Sequence, residues 1–197
     1  MARIIVIIVF VASFVGNTVQ EQIFKKKNRE TKGKLPIQKG LFILGKVSLV
    51  LSWFLAFLQA VGVNLRMLTF PDVVWLASSL VFFLGFIIVA IAYFSLGYAN
   101  TTGFPEEKFA LNTKGLYRIS RNPIYSGFIL MCLGSTIFTA NIAALILSLI
   151  GIIIHHKIII AEEAFLQKRL GPVYSEYKKK ARRYGMHLQN RDYGFVG

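Results

Sequence analysis

The segment Gly115-Leu116-Tyr117-Arg118-Ile119-Ser120-Arg121-Asn122-Pro123-Ile124-Tyr125 joins a polar, basic and aromatic stretch to a long apolar run. Its end reads as a helix start at a membrane surface. Asn122 is a favoured N-cap, and Pro123 suits the first helical position, where its missing N–H costs nothing. Free backbone N–H groups at such a start carry partial positive charge, and Arg118 and Arg121 stand just upstream, so the segment can hold an anionic group. The plainer alternative is that Asn-Pro only starts a helix and the arginines only fix its orientation.

The rest of the chain says which solvent that helix meets. Of 197 residues, 55% are hydrophobic and only 16% charged, with mean hydropathy +0.57, far more apolar than a soluble domain. The net charge of +14, from 23 Lys and Arg against 9 Asp and Glu, sits in the polar stretches between and after apolar runs. That is the distribution of cytoplasmic loops facing anionic lipid, and no base-reading motif accompanies it, which argues against nucleic acid as a partner. The one cysteine, Cys132, lies inside an apolar run, which leaves neither a disulfide framework nor a Cys/His zinc spacing.

Taken in order, Ile4 to Val15 is an apolar run with one arginine before it and Lys25, Lys26, Lys27, Arg29, Lys32 and Lys34 after it. This is the wrong charge order for a cleaved signal, so we expect a retained span with its N-terminus outside, extended by Thr18 to Ile23. Further spans are expected from Gly40 to Val63, Val73 to Leu96, Ile124 to about Phe138 and Ile142 to about Ala161. With this orientation only Arg3 and Arg66 of the 23 basic residues fall outside, as the positive-inside rule demands. Glu162 to Arg183 carries Phe165, Leu166, Leu170, Val173, Tyr174 and Tyr177 between basic residues, the pattern of an amphipathic helix on the inner membrane surface, broken near Gly171-Pro172. The fold class is therefore all-α, a polytopic membrane protein of about five transmembrane helices with a C-terminal amphipathic helix. Its organisation is expected as N-terminal spans over 1–95, a catalytic region over 96–184 and a polar tail over 185–197.

Ile124 and Ala161 are the two ends of one helical hairpin, on the same side of the membrane, so Arg118, Arg121 and Tyr125 should lie near Glu162 and Glu163. Carboxylates beside an apolar span are costly and mark either a function or an ion pair. A metal reading of His155, His156, Glu162 and Glu163 fails because the i, i+4 ligand spacing is absent.

The combination of Gly115-Leu116-Tyr117-Arg118, Arg121-Asn122-Pro123-x-Tyr125, the hairpin, Glu162-Glu163-x2-Leu166 and Leu170-Gly171-x2-Tyr174-x2-Tyr177 resembles the isoprenylcysteine carboxyl methyltransferase family and the related phospholipid methyltransferases. The resemblance spans roughly Leu96 to Arg183. It implies an integral membrane methyltransferase that binds S-adenosylmethionine on the cytoplasmic side, with Gly115, Tyr117, Arg121, Asn122, Pro123, Tyr125, Glu162 and Glu163 around the cofactor and Arg118, Arg121 and Glu163 as the catalytic set. Many members carry His where this chain has Asn122, so no imidazole acts at that position. Partners implied are membrane lipids and a lipophilic or lipidated acceptor, a carboxylate or a lipid headgroup; the oligomeric state is left open. Two other classes remain at this stage: an NADPH-dependent sterol or steroid reductase, whose C-terminal region resembles this one, and a small transporter or assembly subunit in which the arginines and glutamates merely pair.

Overall fold

A computed structural model describes residues 1–26, 35–96 and 111–185. The described chain is helical: α1 (Ala2–Lys26), α2 (Lys39–Ala60), α3 (Asp72–Leu96), a 3₁₀ turn (Gly115–Arg118), α4 (Pro123–Thr139), α5 (Ile142–Leu170) and α6 (Pro172–Lys180). Three helices, α2, α3 and α5, are long and apolar enough to cross a membrane. The shorter apolar stretches Ala2–Gly16 and Pro123–Thr139 run with them, so the chain is a polytopic helical membrane protein. The basic linker after α1 and most of the polar stretch before the turn lie outside the described residues, as does the polar tail past Gly185.

Two contacts fix the bundle. α3 and α4 meet where Gly85 faces Gly127, and a Cβ on Gly85 would stand 2.7 Å from the Gly127 carbonyl oxygen, one on Gly127 2.6 Å from Val89 Cγ2. Without a hydrophobic drive between helices in lipid, such small residues supply the association by letting backbones touch. A Gly127→Leu variant is accordingly expected to lose the α3–α4 contact and the folded state, seen as aggregation on size-exclusion chromatography in detergent, with Gly127→Ala an intermediate case costing about 1–3 kcal/mol. The second contact is a hydroxyl junction. Ser52 of α2 bonds Ser135 of α4 at 2.8 Å and Ser148 of α5 at 2.7 Å, and Thr136 reaches Ser148 at 3.0 Å. Ser52, Ser135 and Ser148 are buried in the bundle core, so their mutual bonds set the register of three helices. α1 is attached differently, through buried Val6 and Val9 in an apolar cluster with Ala56, Phe82, Met131 and Phe138.

The expected spans match the helices closely except at α5, which continues nine residues past Ala161 to Leu170. Apart from Phe165, that extension is made of Glu, Ala, Leu, Gln, Lys and Arg, which all favour helix. Glu162 and Glu163 are thus helical residues, one turn or more inside the end. The break comes at Gly171, whose φ of 52° and ψ of −120° suit glycine alone. The chain then turns back as α6, where Tyr174 and Tyr177, with Ala181 just past its end, pack on Leu111, Leu166 and Leu170, while Val173 stays exposed.

Candidate active site

The local sequence builds the site around the start of α4. Gly115 opens the preceding turn at φ 58°, a left-handed conformation that glycine takes without penalty. Tyr117 is buried and its carbonyl accepts the Tyr177 hydroxyl at 2.6 Å, tying the turn to α6. Burial chiefly raises the Tyr117 phenol well above its ordinary range, with the Tyr177 and Tyr93 phenols and the Glu162 charge adding to it. Burial likewise pushes Tyr174 up to about 12, so it stays a neutral phenol. Arg118 ends the turn with an exposed side chain. Pro123 takes the first helical position, as its fixed φ favours. Asn122 holds the N-cap position, yet its side chain makes no cap bond; it is turned to Glu163 instead.

That turn of Asn122 belongs to a larger cluster. Glu163 is 6% exposed. Its Oε1 accepts from Arg121 Nε at 3.1 Å and Asn122 Nδ2 at 3.0 Å, with Arg121 Nη2 also at 3.1 Å. Its Oε2 accepts from Arg183 Nε at 3.2 Å and Nη2 at 2.8 Å. A carboxylate has about four lone-pair sites, so this one is saturated by its own chain. The Arg183 guanidinium is held cationic chiefly by that bond.

Residues 181–185 form a strap across the cluster. Ser120 and Arg182 make an isolated parallel bridge, and Arg121 N–H donates to the Arg182 carbonyl at 2.7 Å. Arg121 Nη1 donates to the Ala181 carbonyl at 2.6 Å, Ser120 Oγ to the Arg183 carbonyl at 3.0 Å, and Ser126 Oγ to the Tyr184 carbonyl at 3.1 Å. The Tyr184 ring stacks on His156, whose Nδ1 meets its hydroxyl. Beneath it lies a small crevice walled by Leu49 of α2, Tyr125 and Phe128 of α4, and His155 and Ile159 of α5.

Glu162 is placed quite differently from its neighbour. Tyr125 donates its hydroxyl to both carboxylate oxygens at 3.0 Å, a single donor shared between two acceptors. Among the described hydrogen bonds Glu162 has no guanidinium partner, so it keeps acceptor capacity for a further donor. Tyr125 in turn packs 5.8 Å from the His155 ring and edge-on to Phe128 at 6.1 Å. The structure therefore brings Arg121, Asn122, Pro123, Tyr125, Glu162 and Glu163 to one end of the bundle, with Gly115 and Tyr117 in the turn beside them.

Two participants escape a reading of the sequence, and a third, His156, is weighed there only as a metal ligand. Arg183 and Tyr184 each look like an ordinary residue of a basic tail, and nothing in spacing singles Arg183 out from Lys178, Lys179, Lys180 and Arg182. Only the strap's return over α4 gives it a role.

A helical membrane bundle with a buried carboxylate–guanidinium cluster and a second carboxylate bonded to a tyrosine at one end is the class that fold and site define. The family model for phospholipid methyltransferase matches residues 73–172, just over half of the 197 residues, and the chain belongs to that family. The match runs from α3 to the start of α6 and contains Arg121, Asn122, Tyr125, Glu162 and Glu163; Arg183 and Tyr184 lie past its end. Two rice proteins, from Oryza sativa subsp. indica and subsp. japonica, each described as a probable protein-S-isoprenylcysteine O-methyltransferase, are 34% identical over 76 residues. That stretch covers 38% of this chain and 40% of theirs, so the likeness spans about two fifths of those relatives.

Proposed function

We propose that the protein transfers a methyl group from S-adenosylmethionine to a lipophilic, membrane-embedded acceptor, a carboxylate or a lipid headgroup, with its site on the cytoplasmic side. The observation that carries the reading is the contrast between the two adjacent glutamates. Glu163 is neutralised by Arg121 and Arg183, whereas among the described hydrogen bonds Glu162 accepts from the Tyr125 phenol. The donor set fits the cofactor: Glu162 and Tyr125 meet a cationic ammonium or sulfonium, and the aromatic faces of Tyr117 and Tyr125 suit an adenosine or a sulfonium. The start of α4 and the Arg121 region offer positive potential to a carboxylate. Arg121, Asn122 and Glu163 act here as positioning residues that hold the turn, α4 and α5 in register.

When bound, S-adenosylmethionine supplies a methyl group on a positively charged sulfur, open to in-line displacement. The protein's share is alignment and exclusion of water, which requires neither a covalent intermediate nor a metal ligand set. A carboxylate acceptor is already ionised at neutral pH and needs a cation to orient it, a part suited to the exposed Arg118; an amine acceptor would need a group to take its proton.

Calorimetry on the purified protein in detergent tests this. Micromolar binding of S-adenosylmethionine or S-adenosylhomocysteine is expected, and labelled cofactor incubated with a total lipid extract should label a lipophilic product. NADPH binding in their place would move the protein to the reductase class, and binding of none of the three would leave an assembly or transport role.

A further inference from the structure

The two arginines on Glu163 are held in different ways. Arg121 is bonded at every nitrogen: Nε and Nη2 to Glu163 Oε1, and Nη1 to the Ala181 carbonyl at 2.6 Å, with its side chain 10% exposed. Arg183 gives only Nε and Nη2, to Glu163 Oε2, and its side chain is 37% exposed. Among the described residues its Nη1 donates to nothing. One carboxylate set between two guanidiniums also leaves a positive charge over, and the burial of Arg121 and Glu163 puts that charge at Arg183, the outer member.

The outer edge of Arg183 is fixed before anything binds. Glu163 grips one side of the guanidinium through two bonds. At the other end of the residue, the Arg183 carbonyl accepts from Ser120 Oγ at 3.0 Å and Asn122 Nδ2 at 3.4 Å. A free surface arginine loses side-chain freedom when it meets an anion; here the protein has already ordered it. The plane of the guanidinium turns its remaining N–H groups outward as a fork that suits two oxygens of one anion.

Apolar surface lies beside that fork. Gly185 ends the strap against Ile119, since a Cβ placed on Gly185 would stand 3.9 Å from Ile119 Cγ2. Ile119 is 58% exposed, and Tyr184, between Arg183 and Gly185, is exposed as well. An outward cation next to an open isoleucine and an aromatic ring, at the end of a membrane bundle, matches a molecule that is anionic at its head and hydrocarbon beyond it.

We propose that Arg183 binds the anionic group of a membrane lipid, a phosphate or a carboxylate, with Ile119 and Tyr184 against the start of its hydrocarbon. The site goes beyond the methyl-transfer reading and does not rest on it, because lipid binding alone reads it out.

Native mass spectrometry of the full chain in nonionic detergent, titrated with phosphatidylglycerol, oleate, phosphatidylcholine or glycerol phosphate, tests this. Phosphatidylglycerol, oleate or both are expected to bind about tenfold tighter than phosphatidylcholine, whose choline offsets its phosphate, and than glycerol phosphate, which has no chain. Which of the two binds decides between phosphate and carboxylate. Arg183→Lys keeps the charge and a donor for Glu163 but loses the outward fork, and should weaken the lipid adduct about tenfold. Ile119→Glu, at an exposed position, should weaken it similarly. Arg182→Gln makes the same change in net charge as Ile119→Glu at the neighbouring residue, whose side chain has no described partner, and should bind as the unaltered protein does. That matched pair keeps the test open if Arg183→Lys loosens the strap. Undiminished binding in Arg183→Lys or Ile119→Glu, or equal weakening in Arg182→Gln, means diffuse attraction to a basic protein and overturns the site. Glycerol phosphate binding as tightly as phosphatidylglycerol overturns the lipid.

Discussion

Glu162→Gln is expected to lower the affinity for S-adenosylmethionine by about a hundredfold, with the thermal midpoint almost unmoved. The substitution keeps the shape and one acceptor oxygen for the Tyr125 hydroxyl, replaces the other oxygen by an NH2 donor, and removes the charge. A charge-assisted contact in a partly dehydrated site is worth about 2–3 kcal/mol, and 1.4 kcal/mol is a factor of ten. Stability should hold because the one described partner of Glu162 is the Tyr125 hydroxyl, which can donate to an amide oxygen equally well. Calorimetry with two ligands sharpens the result. If Glu162 meets the ammonium group, affinity for S-adenosylmethionine and S-adenosylhomocysteine falls together; if it meets the sulfonium, only the former falls. Affinities for both within threefold of the unaltered protein would remove Glu162 from the cofactor site.

Glu163→Ala should behave in the opposite way, losing stability first. It strips the shared acceptor from Arg121, Asn122 and Arg183 at once. Removing one member of a buried ion cluster leaves uncompensated charge and costs about 3–5 kcal/mol; since Arg183 is partly exposed, the lower end of that range is expected. The strap should then lift from Ser120 and Arg121. Limited trypsin digestion reads this directly, because Arg182 and Arg183 are cleavage points held by backbone bonds in the folded protein. Cleavage there should accelerate at least tenfold in Glu163→Ala and hardly at all in Glu162→Gln. Equal protection in both variants would show that the strap does not depend on Glu163.

The difference between the two glutamates marks the limit of what the sequence discloses. The hairpin argument correctly puts a basic, aromatic patch and a carboxylate pair at one end of the bundle, because apolar run lengths and a tight turn at Thr139-Ala140-Asn141 leave little freedom. The same argument treats Glu162 and Glu163 alike. Their separation is angular: on a helix, adjacent residues point about 100° apart, so one faces the Arg121 side and the other Tyr125. Knowing which requires the rotation of α5, set by the hydroxyls of Ser52, Ser135 and Ser148 deep in the bundle. The helical extension past Ala161 was hidden for a related reason, since charged helix formers read equally well as a surface helix or as the continuation of a span. Asn122 shows the same competition, its cap position being legible and its side chain claimed by a partner 41 residues away.

The strap also has a consequence for biogenesis. Arg183 trails Glu163 by 20 residues, and at a synthesis rate of about 5–20 residues per second the carboxylate precedes its second cation by roughly 1–4 s. During that interval α4 and α5 are already disposed to enter the bilayer while the acidic position rests on Arg121 and Asn122 alone. Assembly of this end of the molecule therefore completes from the carboxyl side, and a chain stopped before Arg183 would leave Glu163 with Arg121 and Asn122 but with its Oε2 lacking the Arg183 donors.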